Sequence, residues 1–516
     1  MTTMYNNKQY PNTQAFIFEI ESVHLFTQLC DKLVYYPWTM LLHSGQSQHI
    51  NSRFDILVSH PIATIVTNLI PSFDSNAPIG VLIDTKISYL SHEPNLLVYE
   101  PIQGTQDKFA SCPFACLDKV IDNYKMSANH REDVPFQGGA LGLFTYDLGR
   151  TQEYIPNISE KIDPLPAMSV GIYDVAFIRD NILNKLNCVI QAENEAEAKT
   201  RFELYLTQID ELATENSKSS NVESRFQLTS SWQSTITATD YHKQFIQVQE
   251  ALEAGECYQV NLTQAFQATY EGDEWQAFND LLKANQAPFS AFCHLPEAKI
   301  LSASPERFLL LKKQQVSTKP IKGTIARSDD IYEDERNKKI LADSAKNRAE
   351  NVMIVDLLRN DLGKIARPGT VEVPKLFEIE SFPAVHHLVS TISAQLKDEI
   401  TPLALLRACF PGGSITGAPK VSAMQKIEHI EPTQRSIYCG SIAYISACGQ
   451  MDSNIAIRTL IAIPENPEGF DIQEISPRGK LICFAGGGIV LDSIESEEYE
   501  EVYAKLSKIL TLWQNK

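Results

Sequence analysis

Lys319-Pro320-Ile321-Lys322-Gly323-Thr324 runs on, within a few residues, into the long helical stretch Ile331 to Leu362. Proline fixes φ ahead of the lysine, and glycine behind it lets backbone or ligand approach closely. The hexapeptide therefore reads as a strand end and turn. Strands that give way to helices without a regular βαβ rhythm favour an α+β fold over a doubly wound sheet. Burial at such a turn would favour the uncharged amine of Lys322, which is a nucleophile. The plain alternative is an exposed strand-end lysine.

Outward from this stretch the same mixture continues. Phe54–Val58, Gly80–Ile83, Gly139–Phe144, Ile300–Ser302, Arg307–Leu311, Ile442–Ile445, Ile455–Leu460 and Leu481–Phe484 read as strands. Asp240 to Ala254 and Glu497 to Trp513 read as helices, and Ile331 to Leu362 contains at least one. The polar run Thr214 to Ser224 divides an N-terminal lobe (15–212) from a C-terminal lobe (230–516) through a linker at 213–229. Pro464 to Lys480 reads as an inserted hairpin loop, and no internal repeat is present.

Composition sets outer limits. The chain has 516 residues, 43% hydrophobic and 21% charged, so its core needs no disulfide or metal staple. A formal charge of −19 argues against nucleic acid or an anionic membrane as partner, yet leaves room for an anionic small molecule at a local basic site. The ten cysteines are scattered, without a CxxC, as in reduced cytoplasmic proteins. Met1 to Gln14 lacks an apolar signal core, and no apolar run nears the roughly 18 residues that span a bilayer. A cytoplasmic location is expected.

Several constellations carry chemistry. Helical spacing predicts Asp343, Glu350 and Asp361 near one face. Glu497, Glu498, Glu500 and Glu501 crowd the start of the last helix, with Glu498 and Glu501 on a shared face. Carboxylates from two distant segments, completed by waters and an anionic substrate, suit Mg²⁺. The alternative for the last helix is a solvated first turn favoured by the helix dipole. Gly486-Gly487-Gly488 and Gly412-to-Lys420 offer backbone N–H groups to a carboxylate; Ala418 stands where a Walker loop needs lysine. Glu306, His387, Arg458 and Gln259 complete the polar candidates. An arginine inside an apolar strand needs an anion, although a satisfied core arginine is the rival explanation.

Taken together, Gly255-to-Gln264, Ser304-to-Phe308, Pro320-to-Thr324, Ala349-to-Asp361, Gly412-to-Lys420 and Gly486-to-Ser493 closely resemble the chorismate-utilising enzymes. That family includes anthranilate synthase component I and the isochorismate and salicylate synthases. The resemblance runs from about Trp38 to Leu506 and is closest to the para-aminobenzoate branch. It implies a two-lobed α+β body of the anthranilate synthase component I type, with two packed antiparallel sheets and helices outside. It also implies that Gly323, Thr324, Tyr438, Arg458 and Gly486–Gly488 hold chorismate, with His387 lining the same site. Glu350, Glu501 and their neighbour Glu498 would hold Mg²⁺, and Glu306 would be the general acid. Where isochorismate synthases have a lysine base this chain has Gln259, which disfavours attack by water. Where anthranilate synthases usually have alanine it has Lys322, which would attack C2 of chorismate before ammonia attacks C4.

Gly255-Glu256-Cys257-Tyr258-Gln259 only partly matches a glutaminase nucleophile elbow. The resemblance therefore implies a separate glutaminase subunit or free ammonia as nitrogen source. Ser44, Ser52, Arg53, Phe54, Pro288, Phe289 and Ser290 resemble the family's L-tryptophan pocket, with Asn51 where an aromatic residue is often found. The rivals are an anthranilate synthase component I and a non-catalytic chorismate- or tryptophan-binding subunit.

Overall fold

The protein's structure, a computed structural model, describes residues 11–45, 52–71, 81–91, 96, 102–109, 112–129, 131–215, 225–382, 385–465 and 477–514. Asn51, the linker residues 216–224 and the loop residues 466–476 lie outside them.

Two large sheets form the body. One has 14 strands, running from Gln227–Leu228 and Gln259–Glu271 through Arg478–Ile489, Thr459–Pro464, Lys299–Ser304, Phe289–His294, Met40–His43 and Phe54–Val58 to Val175–Asp180, Lys185–Ala192, Thr13–Ile20 and Met126–Ser127. The other has 12 strands and runs from Ile321–Ala326 at one edge, through Val385–Gln395, Arg307–Lys312 and Gly139–Phe144, to Ile102–Phe109 at the other. Strands from both sides of the 213–229 segment enter both sheets. Among the described strands, pairing is antiparallel except between Thr13–Ile20 and Met126–Ser127.

Period-two alternation builds the layers. In Phe289–His294, Ala291 and Cys293 face the core between the sheets, whereas Phe292 faces outward. Ala176 and Ile178 alternate with Val175 and Phe177 in the same way. The outward residues are covered by the helices Leu25–Leu33, Glu195–Glu215, Glu274–Asn285 and Glu495–Leu510. All ten cysteines are free, and eight are buried. No helix of the described residues is long and apolar enough to cross a membrane.

Several sequence readings are refined by the structure. Ile331–Leu362 is two helices, Ile331–Asp343 and Ala345–Gly363, because Ser344 leaves the helix and caps the second through its side chain. Asp343 is thereby exposed on the first helix, and Asp361 is sequestered by Lys364 and Lys420, so neither joins Glu350. Arg458 precedes its strand, which begins at Thr459, and has φ +51. The strand read as Leu481–Phe484 extends over Arg478–Ile489, so Gly486–Gly488 lie within it.

Candidate active site

Lys322 is on the edge strand Ile321–Ala326, where the ladder slips. Ile321 pairs with Val389 and Thr324 with His387, so the bulge falls on Lys322 and Gly323. Gly323 has φ +92, and a Cβ there would come within 2.8 Å of Asn347 Cγ and 2.9 Å of Leu341 Cδ1. The left-handed backbone calls for glycine here, and the side chains of Leu341 and Asn347, from two helices, pack closely over it. The bulge re-aims the lysine inward, and its Nζ donates to the Ser414 carbonyl at 3.2 Å. Burial lowers the amine's pKa, against the opposing pull of Glu350 and Glu306. The residue as a whole is half-buried, although its amine lies deep among protein atoms.

Glu306 follows the strand Lys299–Ser304 and is buried. Its Oε1 accepts the Ser414 hydroxyl at 2.9 Å. Burial pushes its carboxyl up to about 7, opposed by Ser414, Lys322 and the Ile321 backbone. A carboxylic acid titrating near neutrality beside an amine of lowered pKa can supply a general acid and a nucleophile.

Glu350 projects from Ala345–Gly363; Glu498 and Glu501 project from Glu495–Leu510. Burial raises the Glu350 pKa, and the charges of Glu498 and Glu501 add to it. Burial also pushes Glu501 upward, but the Lys505 ammonium, 2.6 Å away, brings it below the usual range. Glu498 accepts from Lys346 at 3.1 Å and from Ser493 at 2.7 Å. A Cβ on Gly487 would lie 3.1 Å from Glu498 Oε2 and 4.0 Å from Glu501 Oε1, so both carboxylates flank that glycine. Among the described residues no three His, Cys, Asp or Glu side chains form a metal-binding group by themselves. The all-oxygen set, open at a glycine and held by exchangeable ammonium groups, nevertheless fits a hard cation that keeps several waters.

The remaining polar candidates lie on neighbouring strands and their connections. Burial lowers the Arg458 pKa, and no anionic side chain among the described residues pairs with it. A buried guanidinium without a carboxylate partner can accept an external anion. His387 is buried, with Nδ1 2.8 Å from Thr324 Oγ1 and Phe382 edge-on at 5.2 Å. Tyr438 stacks on Phe484 at 5.5 Å. Gly486 admits no side chain, because a Cβ would meet the Leu262 carbonyl oxygen at 2.2 Å; a Cβ on Gly488 would lie 2.1 Å from Gln259 Nε2, so that side chain packs directly on it. Gln259 itself is buried on the neighbouring strand.

Reading the sequence misses Ser414, Lys346 and Lys505. Ser414 lies within the glycine segment Gly412-to-Lys420, and Lys505 lies one helical turn beyond Glu501, a spacing that pairs side chains. Lys346 offers no such signal.

A second cluster forms at adjacent strand ends. Met40–His43 pairs with both Phe54–Val58 and Phe289–His294, which brings Ser44, Ser52, Arg53, Phe54, Pro288, Phe289 and Ser290 to one end of the sheet. The Ser44 backbone and hydroxyl both donate to Asp55, at 2.7 and 2.8 Å. Arg53 pairs with Asp180 and lies over the Phe54 ring at 4.5 Å. Ser290 donates to the Ala287 carbonyl, and Arg307 lies over Phe289 at 4.7 Å.

A two-sheet body whose edge strand carries a buried amine beside a protonatable acid, with an acidic pair at the start of the last helix, is suited to acid-assisted nucleophilic chemistry. A family profile described as chorismate binding enzyme matches residues 91–511, and the chain belongs to that family. Among its relatives, aminodeoxychorismate synthase component 1 of Escherichia coli (strain K12) is 47% identical over 479 residues, 93% of this chain and 94% of that one. Anthranilate synthase component 1 of Aquifex aeolicus is 33% identical over 407 residues, 77% of this chain and 78% of that one. The crystal structure of anthranilate synthase component I from Streptococcus pneumoniae superposes with a TM-score of 0.68 at 27% identity, over 90% of this chain and 93% of that chain.

Proposed function

We propose that this chain is the chorismate-aminating component of an aminodeoxychorismate synthase, converting chorismate and ammonia to 4-amino-4-deoxychorismate and water. The observation that carries the reading is the pairing of Lys322 with Glu306 across Ser414. The relatives named aminodeoxychorismate synthase component 1 support it.

The ring carboxylate and enolpyruvyl carboxylate of chorismate supply the anions that Arg458 and the backbone around Gly486–Gly488 lack. Glu350, Glu498 and Glu501 would hold Mg²⁺, which when bound supplies counter-charge for a substrate carboxylate. The neutral Lys322 amine attacks C2; the ring double bonds shift, the C4–O bond breaks, and Glu306 gives the departing hydroxyl its proton, forming water. The lysine nitrogen keeps its extra proton as a secondary ammonium. Ammonia then attacks C4, the double bonds shift back, and Nζ leaves as the neutral amine. The C4 ammonium returns one proton to Glu306. The enolpyruvyl ether is untouched. Nitrogen is read as coming from a separate glutaminase subunit, because residues 255–259 only partly match a glutaminase elbow.

Purified chain with chorismate, Mg²⁺ and ammonium is expected to give, by mass spectrometry, a product with an amine for the hydroxyl and the pyruvyl carbons retained. Glutamine in place of ammonium is expected to give none. Anthranilate plus free pyruvate from the same mixture would place the chain in the other branch.

The strand-end cluster around Ser44 and Phe54 is read as an L-tryptophan site. Its polar groups sit on adjacent strands of one sheet, beside aromatic surface. Calorimetry with L-tryptophan is expected to show heat, with a rise in melting temperature. No heat and no thermal shift would remove the site.

A further inference from the structure

We propose that Ser414 is a positioning residue for the reaction, fixing the proton-donating carboxyl of Glu306 beside the nucleophile through its hydroxyl. The inference rests on the reading of Lys322 and Glu306 above.

Ser414 occupies the middle of a single 3₁₀ turn, Gly413–Ile415, that is clamped on every side. A Cβ on Gly412 would come 2.7 Å from Ile455, and one on Gly413 would come 2.5 Å from Leu357. The Thr416 hydroxyl donates to the Gly412 carbonyl at 3.1 Å. The Ile415 carbonyl accepts from the buried Arg435 at 2.9 Å, and the Thr416 carbonyl accepts from the Asn261 backbone at 2.9 Å. All these restraints act on the backbone or on neighbouring residues. None uses the Ser414 side chain, which is therefore dispensable for the turn.

From this rigid turn Ser414 presents two groups. Its carbonyl accepts one N–H of Lys322 at 3.2 Å, and its hydroxyl donates to Oε1 of Glu306 at 2.9 Å. A donor fixed on Oε1 sets the orientation of the carboxyl, and with it the direction in which its proton is presented. The other groups facing Glu306 are the Ile321 backbone N–H, the Lys322 amine and the Cys439 thiol. Replacing the hydroxyl removes only the bond to Glu306, because the contact with Lys322 is made by the backbone. The variant therefore separates the acid from the nucleophile. Because the Ser414 hydrogen bond stabilises the carboxylate, its loss raises the Glu306 pKa.

The test compares Ser414→Ala and Ser414→Thr with the parent chain in the ammonium-dependent reaction across pH. Ser414→Ala is expected to lower the maximal kcat about ten- to hundredfold, the worth of a hydrogen bond to a charged group, with KM changed by less than about twofold. The limb of the kcat profile governed by Glu306 moves to higher pH. Ser414→Thr restores both. An aminated product from the parent, with kcat and profile unchanged in Ser414→Ala, would overturn the proposal alone. So would a lower kcat with an unmoved limb and no rescue by threonine, which is the signature of a merely structural residue. A parent chain that yields no aminated product would overturn the functional reading and this proposal with it.

Discussion

Lys322→Ala is expected to lose amination of chorismate by on the order of 10³-fold or more, the scale on which removing a covalent nucleophile acts. The side chain sits on a bulge that only glycine permits at position 323, with its amine held by a backbone carbonyl. A lysine placed for charge alone needs neither feature. Lys322→Arg is expected to be equally inactive, because a guanidinium keeps its proton and has no lone pair to attack with. Intact-mass spectrometry of the parent chain with chorismate, without ammonium, should trap a covalent adduct of chorismate less water; neither variant should show it. Retention of more than about a tenth of the parent rate in Lys322→Ala would mean that ammonia attacks C4 directly and would end the covalent reading.

Stability should move the other way. The folded state lowers the Lys322 pKa, so the unfolded chain binds the proton more tightly. The cost of burying the ammonium is fully present below the folded pKa and vanishes above the ordinary value of 10.5. At neutral pH Lys322→Ala should therefore melt no lower than the parent. An inactive variant of undiminished melting temperature excludes misfolding as the cause.

How far the sequence reveals this site depends on the range of the forces involved. Lys322 and Gly323 are legible because a strand end, proline and glycine are local signals, and the structure places the bulge on them. Glu498 and Glu501 are legible because a three-residue spacing on a helix puts them on one face. Asp343 and Asp361 follow helical periodicity from Glu350, but neither is free to act with it. Ser344 breaks the helix before the first, and Lys420, from a distant helix, claims the second. Arg458 lies in a run that reads as strand, yet its backbone turns left-handed, because the residues that decide its conformation lie on other strands. Ala303, on the strand Lys299–Ser304, bonds its carbonyl. Ser414 is invisible for a related reason. Its importance lies in two contacts with residues 92 and 108 positions away, and nothing near it in the chain encodes them.

Glu306→Gln is expected to lower kcat about 10²- to 10⁴-fold while KM changes little, the range for removing a general acid. Glutamine keeps the shape and can still accept the Ser414 hydroxyl through its carbonyl, so the turn should stand. What it cannot do is give a proton to the departing hydroxyl and recover one from the product ammonium. The parent's kcat profile should show a limb near pH 7, where burial places the Glu306 carboxyl, and that limb should be absent from the variant. Stability supplies an independent check. A carboxyl whose folded pKa is raised binds its proton more tightly when folded, so its contribution is greatest below the unfolded value of 4.5 and falls as pH rises to about 7. Above pH 7 the parent carries a buried carboxylate that the variant lacks. The melting temperature of Glu306→Gln relative to the parent should therefore rise between pH 5 and pH 8. A flat difference would mean that Glu306 is ionised throughout, and a carboxylate already ionised at pH 5 is not the acid of this reaction.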